Sequence, residues 1–302
     1  MVNNNNYHVP VLSSEVISCL NLKIGEIAVD LTAGGGGHLE LMAKAVGKTG
    51  KVIAIDQDIY AHQLNAAGGV VNKFSDRIKL FHASFSSLFD ILISNNISKV
   101  NAILCDLGVS SFQLNIASRG FSFIHDGPID MRMNKQSKIT AYDILRNTSE
   151  KELANIIYKF GEEKFSKKIA KIIKINWPIA NSTVKLSKLI SLVVYNRRKK
   201  HSATRTFQAL RIATNNECYE LDFVLKNFAN ILTKHGRAVF ISFHSLEDRK
   251  VKHAFRKLIN PDVNKKINFR LINKKPIVPC FVEKKINIRS RSAKLRCIEK
   301  LY

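Results

Sequence analysis

The sequence predicts an α/β protein in which a parallel sheet is interrupted by a helical insertion. The first 110 residues alternate short apolar runs with amphipathic runs, as βαβ units do, and a further strand pattern follows Gly236. Between these parts, residues 140–232 contain no convincing strand pattern. The chain of 302 residues is long enough for two domains of the usual size, roughly 150 residues each.

Each predicted strand is a short apolar run. The predicted strands are residues 26–32, 51–56, 78–81, 100–106, 237–243, 268–272 and 295–299. Helical spacing over residues 38–46 and 59–74 places helices between the first strands. This alternation predicts parallel strands that are buried on both faces.

The middle of the chain has helical periodicity only. Ser149 and Glu152 form a predicted capping box, and Gly161 is expected to end the helix that follows. Trp177-Pro178 stops the next helical pattern. We therefore predict an inserted helical domain at residues 112–205, with residues 1–111 and 206–302 forming the sheet domain.

Positive charge is concentrated in part of the chain. The 48 Lys and Arg exceed the 24 Asp and Glu, which gives a net charge of +24. Residues 111–210 hold 19 basic and 7 acidic residues and residues 249–302 hold 17 and 3, whereas the remainder holds 12 and 14. A near-neutral part joined to two basic parts favours a nucleic-acid partner. A solvated basic surface, produced by a general lysine bias, is the alternative.

Composition excludes several classes of protein. An apolar fraction of 45% excludes a disordered chain. No apolar run approaches the ~18 residues of a membrane-spanning helix, and the first residues lack a secretory pattern. The five cysteines are widely spaced without a C-x-x-C pair, which argues against a disulfide framework and a zinc site. We expect a cytoplasmic protein without a metal.

A glycine-rich loop lies at the first strand-to-helix junction, in Asp30-Leu-Thr-Ala-Gly-Gly-Gly-Gly-His38. Glycines allow the backbone to approach a ligand closely, and the start of the next helix offers free amides. Neither G-x-G-x-x-G nor a Walker A loop matches. The pattern Asp-x-Gly-x-Gly-x-Gly of Rossmann-like methyltransferases fits better, with Thr32 at its first glycine. A purely structural turn is the alternative.

Two aspartates end later strands of the predicted sheet. Asp56 follows Gly36 by twenty residues, where an acid can accept hydrogen bonds from both ribose hydroxyls. A turn or cap residue is the alternative. Asp106 ends the fourth strand, at the sheet edge where open parallel sheets bind ligands. Strand alternation points the neighbouring Cys105 to the opposite face, which favours a core position over a nucleophile.

Seven blocks of the sequence resemble one known family. They are His8-Val-Pro-Val-Leu, Gly35-Gly-Gly-His38, Asp106-Leu-Gly-Val-Ser-Ser, Arg119-Gly-Phe-Ser-Phe, Asp126-Gly-Pro-Ile-Asp-Met-Arg-Met133, Ala203-Thr-Arg-Thr-Phe-Gln-Ala-Leu-Arg211 and Ser242-Phe-His-Ser-Leu-Glu-Asp-Arg249. In these blocks the chain resembles the RsmH (MraW) family, bacterial methyltransferases that use S-adenosylmethionine. The matching positions run in order from residue 8 to Arg296, so the resemblance covers essentially the whole chain.

The resemblance implies a Rossmann-like class I S-adenosylmethionine methyltransferase with an inserted all-helical domain for substrate recognition. The implied reaction is N4-methylation of a cytidine in the decoding centre (P site) of 16S rRNA, in the small ribosomal subunit. The family's cofactor contacts carry over onto Gly36, Gly37, His38, Asp56, Phe85, Asp106 and Gln113. The chain departs from the family in its all-glycine run and in the missing proline after Asn287.

The chemistry of the implied reaction points to Asp106. A cytosine amino group is a poor nucleophile, so catalysis needs in-line placement and an acceptor for its hydrogens. The chain lacks the Asp-Pro-Pro-Tyr motif of many amino-methyltransferases and has Asp106-Leu-Gly-Val instead. We therefore expect Asp106 to be the catalytic acceptor. Holding the methionine part of the cofactor is its alternative role.

Other hypotheses concern the substrate side. The cluster Arg197-Arg-Lys-Lys200 is expected to contact phosphates, with a solvated loop as the alternative. His244 and the acids after it either face the substrate or simply begin a helix capped by Ser245. Phe112, Phe121 and Phe123 either pack on the target base or belong to the core. A nicotinamide-dependent oxidoreductase and a catalytically silent RNA-binding factor are the competing functions.

Overall fold

The protein is described by a computed structural model over residues 10–66, 69–178, 180–194, 201–260 and 269–302. The chain divides into two compact units. The first comprises Met1–Gly108 and Tyr219–Tyr302, and the second comprises Val109–Cys218. The second unit thus begins slightly before, and ends after, the predicted insertion at residues 112–205.

The first unit contains a seven-stranded sheet. The strands are β1 (Ile27–Asp30), β2 (Lys51–Asp56), β3 (Ile78–His82), β4 (Val100–Asp106), β5 (Leu232–Ser242), β6 (Phe269–Leu271) and β7 (Lys294–Lys300). Their order is β3-β2-β1-β4-β5-β7-β6. Strands β1 to β5 pair in parallel, whereas β7 is antiparallel to both β5 and β6. All seven predicted strands are confirmed, and this order confirms the Rossmann-like class I fold.

The helices follow the sequence pattern closely. They are α1 (Ser13–Leu20), α2 (Gly37–Val46), α3 (Ile59–Ala66), α4 (Val70–Lys73), α5 (Leu88–Ser94), α6 (Ser111–Asn115), α7 (Ala141–Asn147), α8 (Glu150–Gly161), α9 (Ser166–Ile175), α10 (Thr183–Val193), α11 (Thr204–Thr214), α12 (Glu217–Ile231), α13 (Ser245–Ile259) and α14 (Phe281–Ile286). The single helical stretch expected over residues 59–74 is wrong, because Gly69 begins a separate helix, α4. Within the described residues, no helix is long and apolar enough to cross a membrane.

Apolar side chains cover both faces of the sheet. Val29, Ile53 and Ile103 belong to the core on one face. Their neighbours Val52 and Ala102 belong to the core on the other face. This continuous burial is typical of a central parallel sheet. Burial on both faces fixes the positions of the strand ends, so the polar residues at the carboxyl ends of the parallel strands lie along one edge of the sheet.

The second unit has its own core, and its described residues form helices and loops without a strand. Ser149 and Glu152 form the predicted capping box at the start of α8, which ends at Gly161 as expected. Helix α11 packs on α8: Gln208 Nε2 donates to the Phe160 carbonyl oxygen at 2.9 Å. This packing places α11 in the helical unit, whereas the predicted boundary between residues 205 and 206 falls within this helix.

Candidate functional site

Three aspartates end adjacent parallel strands of the first unit. Asp30 is the last residue of β1, Asp56 of β2 and Asp106 of β4. Because β2, β1 and β4 are neighbours in the sheet, the three carboxyl groups line one edge of it. Sequence reasoning assigned roles to Asp56 and Asp106 but missed Asp30, which the pattern showed only as the start of the glycine loop.

Asp30 is fully buried. Its Oδ1 accepts hydrogen bonds from the Thr32 amide at 2.9 Å and the Thr32 hydroxyl at 3.3 Å, whereas its Oδ2 has no hydrogen-bond partner among the described residues. Burial raises the pKa of Asp30 to about 7 against the opposing effect of the Thr32 hydrogen bonds. The aspartate is therefore partly protonated near neutral pH.

Thr32 connects the ends of β1 and β4. Its hydroxyl accepts a hydrogen bond from the Asp106 amide at 2.8 Å while donating to Asp30. A glycine, the usual residue at this point of the methyltransferase loop, has no side chain to make this connection. The hydroxyl of Thr32 therefore fixes the backbone at Asp106.

Asp106 is mostly buried and faces His38. Its Oδ2 lies 3.7 Å from His38 Nε2, and its Oδ1 is buried without a hydrogen-bond partner in the part of the chain that the structure describes. Burial, together with the nearby acids Asp30 and Glu247, raises the pKa of Asp106 well above its ordinary value. A carboxyl group in this setting is stabilised by a cationic ligand, and it can take up a proton.

The glycine loop has a conformation that its central glycine requires. Gly36, the N-cap of α2, has φ +83°, and a Cβ there would overlap Oδ1 of Asn65. Asn65 is buried and donates from Nδ2 to the carbonyl oxygens of Gly34 and Ala61, both at 2.8 Å. Asn65 therefore holds the loop in place, and no sequence pattern identified it.

Asp56 contacts the same loop. Its Oδ2 accepts a hydrogen bond from the Gly34 amide and its Oδ1 accepts one from the Asp58 amide, both at 2.8 Å. Burial raises the pKa of Asp56 to about 6, against the lowering effect of these hydrogen bonds. Each carboxylate oxygen retains acceptor capacity for a ribose hydroxyl. Asp56 thus positions the loop and is able to accept hydrogen bonds from a ligand.

The remaining predicted residues are distributed over both units. His38 lies in α2 and is buried, and Gly37 precedes it at the start of that helix. Phe85 begins a 3₁₀ turn after β3 and packs partly against the first unit's core. Gln113 belongs to the helical unit, where its Oε1 accepts a hydrogen bond from the Ser110 amide at 2.9 Å. The ligand contacts of these residues stay predictions.

The structure bears on two of the interpretations left open by the sequence, that of Cys105 and that of the phenylalanines. Cys105 is fully buried in the core, where burial raises the pKa of its thiol, so the core interpretation is favoured. In the helical unit, Phe121 is buried, whereas Phe123 stacks on His201 with ring centroids 4.6 Å apart. The basic cluster at residues 197–200 lies outside the described residues.

Helix α13 begins one residue earlier than expected. The predicted cap Ser245 is wrong: His244 is the N-cap, and its Nδ1 accepts a hydrogen bond from the Glu247 amide at 3.3 Å. The Nε2 of His244 lies 3.0 Å from Glu247 Oε1, so both ring nitrogens face Glu247. Glu247 also accepts from the Phe243 amide at 2.8 Å. These contacts favour the helix-start interpretation. The cap was assigned to Ser245 instead of His244 because histidine is an uncommon cap.

The geometry of the first unit suits a nucleoside ligand with a positive charge. A glycine loop opens a helix, Asp56 offers acceptors for hydroxyl groups, and Asp30 and Asp106 add acidic groups beside them. In the described part of the chain, no cluster of three or more His, Cys, Asp or Glu side chains could hold a metal ion. The site therefore has the groups to bind an organic cation.

Comparisons with known proteins place the chain in a family. The profile of the MraW methylase family matches residues 5–301. The ribosomal RNA small subunit methyltransferase H of Clostridium botulinum (strain 657 / Type Ba4) is 42% identical over 97% of this chain and 99% of its own length. The protein of the same name from Ehrlichia canis (strain Jake) is 43% identical over 97% and 100%.

A solved structure is also similar, although weakly. An rRNA methylase from Streptococcus thermophilus is 12% identical and covers 96% of this chain and 94% of its own, with a TM-score of 0.40. A TM-score this low carries no weight in assigning the chain to a family. That assignment depends on the sequence relatives and the family profile. The chain belongs to the MraW methylase family, and its methyl donor is S-adenosylmethionine.

Proposed function

We propose that this protein transfers a methyl group from S-adenosylmethionine to N4 of a cytidine in the decoding centre (P site) of 16S rRNA. The observation that carries the proposal is the 42% identity, over nearly the whole chain, to proteins named ribosomal RNA small subunit methyltransferase H. The proposed substrate is the rRNA within the small ribosomal subunit, and the proposed location is the cytoplasm.

The site residues fit the donor. Gly36 allows the conformation of the loop at the start of α2, because a side chain there would overlap Asn65. Asp56 would accept hydrogen bonds from the ribose hydroxyls, and Gly37, His38 and Phe85 would add further contacts within the first unit. The cofactor contact expected for Gln113 stays a prediction. Bound S-adenosylmethionine supplies an electrophilic methyl group on a sulfonium cation. The buried Oδ1 of Asp106, which no group of the described residues contacts by a hydrogen bond, suits that cationic ligand.

Asp106 is the proposed catalytic acceptor. As the amino nitrogen of cytosine forms its new bond to carbon, its hydrogens become more acidic, and a carboxylate within hydrogen-bond reach stabilises them. Thr32 fixes the Asp106 backbone through the 2.8 Å hydrogen bond to its amide, which orients the carboxylate. The raised pKa makes Asp106 a stronger base than an exposed aspartate. His38 Nε2 lies 3.7 Å from Asp106 Oδ2, which is close enough for an electrostatic interaction but too far for a hydrogen bond.

The helical unit is the proposed substrate-recognition domain. Residues 111–210 carry 19 basic and 7 acidic residues, a composition that suits a polyanion. Binding to rRNA should weaken with salt by about 0.7–0.9 log units per log unit of salt for each phosphate contact. Binding of S-adenosylmethionine should change little, because the glycine loop and Asp56 belong to the near-neutral part of the chain.

The experiment is methyl transfer to purified small subunits, followed by nucleoside mass spectrometry. Asp106→Asn should lower turnover by roughly a hundredfold or more, a loss typical of an acid–base group. Asp76→Asn, which changes an exposed aspartate paired with Arg77, is the matched control and should keep full activity. If Asp106→Asn retains full turnover, the acceptor role is wrong. An equal loss of cofactor affinity would instead assign Asp106 to the methionine part of the donor.

A further inference from the structure

Helix α14 presents an apolar strip to solvent. Phe281 is 70% exposed, the highest value of any phenylalanine in the described residues, and Val282 and Ile286 are exposed too. At 3.6 residues per turn, Phe281, Val282, Lys285 and Ile286 share an arc of about 140°. These four residues are called the Phe281 platform below. Its apolar members form a contiguous exposed patch, which in a folded protein usually marks an interaction site.

The opposite side of α14 is held by a hydrogen bond to the segment before α1, within the first unit. Glu283, which lies outside the arc of the platform, accepts a hydrogen bond from the Leu12 amide at 2.8 Å. The Glu283 amide donates to Cys280 Sγ at 3.4 Å, which caps the start of the helix. The Asn287 amide donates to the Glu283 carbonyl oxygen at 2.7 Å. These bonds fix the helix, so the outward orientation of Phe281 belongs to the folded structure.

Positive charge surrounds the platform. Residues 274–294 contain seven basic residues and one acidic residue, Glu283. The Lys285 ammonium lies 4.6 Å from the centroid of the Phe281 ring. Within the described ranges, Lys284, Lys285 and Arg291 form no ion pair. Glu283 accepts the Leu12 hydrogen bond and is the single acidic residue among seven basic ones, so the segment stays strongly basic.

This combination favours a single-stranded nucleic acid. Proteins that bind single strands place bases on aromatic rings and phosphates on nearby cations. A second copy of the chain is a less suitable partner. A contact about a twofold axis through this patch would bring Lys285 near the Lys285 of the other copy, and the two positive charges would repel each other. An exposed ring and two lysines without an ion pair among the described residues lie on one short helix, which suits the bases and phosphates of RNA.

We propose that the Phe281 platform binds a single-stranded segment of the RNA substrate, with a base stacked on Phe281 and the adjacent phosphate held by Lys285. The proposal rests on the proposed function and adds an RNA contact in the first unit. The residues of this proposed contact differ from those assigned to the cofactor-binding loop.

The test uses the full chain and two readouts. The first is the affinity for a short labelled oligouridylate, and the second is methyl transfer to purified small subunits. Phe281→Ala should weaken oligouridylate binding roughly 5- to 100-fold, the effect of losing one stacked base. Phe281→Trp should retain the affinity, because it keeps an aromatic face. Lys285→Ala should reduce the salt slope by about 0.7.

Tyr302→Ala is the matched control. Tyr302 is 67% exposed, and Lys234 lies over its ring at 5.5 Å, so the control removes a similar aromatic–cation pair elsewhere in the first unit. It should leave RNA affinity unchanged. The affinity for S-adenosylmethionine and the melting temperature should match the wild type in all four variants, which excludes unfolding as the cause.

Three outcomes would contradict the proposal that the Phe281 platform binds RNA. One is equal RNA affinity in Phe281→Ala and Tyr302→Ala. The second is a shift from dimer to monomer on Phe281→Ala with unchanged RNA binding, which assigns the patch to self-association. The third is loss of binding only to anionic phospholipid vesicles, which assigns it to a membrane surface. Failure of the proposed function is separate, because the wild type would then bind oligouridylate through Phe281 without methylating rRNA.

Discussion

Replacing Gly36 by alanine tests the geometry of the cofactor loop. Gly36 has φ +83°, where an L-residue costs about 1–2 kcal/mol. The added Cβ would also overlap Asn65 Oδ1 and lie 2.8 Å from Val70 Cγ2. Asn65 would have to move, weakening its hydrogen bonds to Gly34 and Ala61, each worth about 1 kcal/mol. The total expected loss is about 2–4 kcal/mol.

Calorimetry with S-adenosylmethionine and thermal unfolding measure this loss together. If the alanine loop relaxes in the free protein, the loss appears as roughly a 30- to 1000-fold weaker affinity. If the loop does not relax, the loss appears as a lower melting temperature.

Gly35→Ala is the matched control, because a Cβ there has no atom within 4 Å. We expect that variant to change stability by less than about 0.5 kcal/mol. Equal behaviour of the two variants in both assays would refute the reasoning about Gly36.

Three further substitutions probe the carboxylates. Asp56→Ala should weaken S-adenosylmethionine binding by about 1–3 kcal/mol through lost charged hydrogen bonds; unchanged calorimetric affinity would remove Asp56 from the ribose site. Burial raises the pKa of Asp30 to about 7, so ionisation of this group destabilises the folded state. Asp30→Asn should therefore stabilise the ligand-free protein in urea unfolding by up to about 4 kcal/mol at pH 8 and by little at pH 4. Asp130→Asn should instead destabilise the protein. The hydrogen bonds and ion pairs of Asp130 with Arg132 and Lys135 outweigh the effect of burial and lower its pKa to about 2. About 2 kcal/mol of stability should therefore be lost at pH 7, and the difference in stability from the wild type should vanish as pH falls from 4 to 2. The same stability for Asp130→Asn and wild type at both ends of that range would contradict the assignment.

Regular patterns made the sheet predictable. Buried parallel strands are continuous apolar runs, so the bounds of β2 and β4 matched the sequence expectation. Strand-end acids were also predictable, because the carboxyl ends of neighbouring strands meet at one edge. Asp56 and Asp106 were recognised for that reason, and their neighbour Asp30 satisfies the same rule.

Contacts between distant residues were not predictable from local patterns. Asn65 reaches the glycine loop from near the end of α3, and nothing in its sequence neighbourhood indicates this contact. His244 replaces the expected Ser245 as the cap because its ring reaches the Glu247 amide. The extent of the helical unit depended on the packing of α11 on α8, which involves residues far apart in sequence.

The most direct test of the central claim is nucleoside mass spectrometry of 16S rRNA after incubation of unmodified small subunits with the protein and isotopically labelled S-adenosylmethionine. The proposed function predicts one labelled N4-methylcytidine in the decoding centre, formed by the wild type and by Asp76→Asn and strongly reduced in Asp106→Asn. A label on another atom or nucleotide, or none with a protein shown to bind the donor, would contradict it.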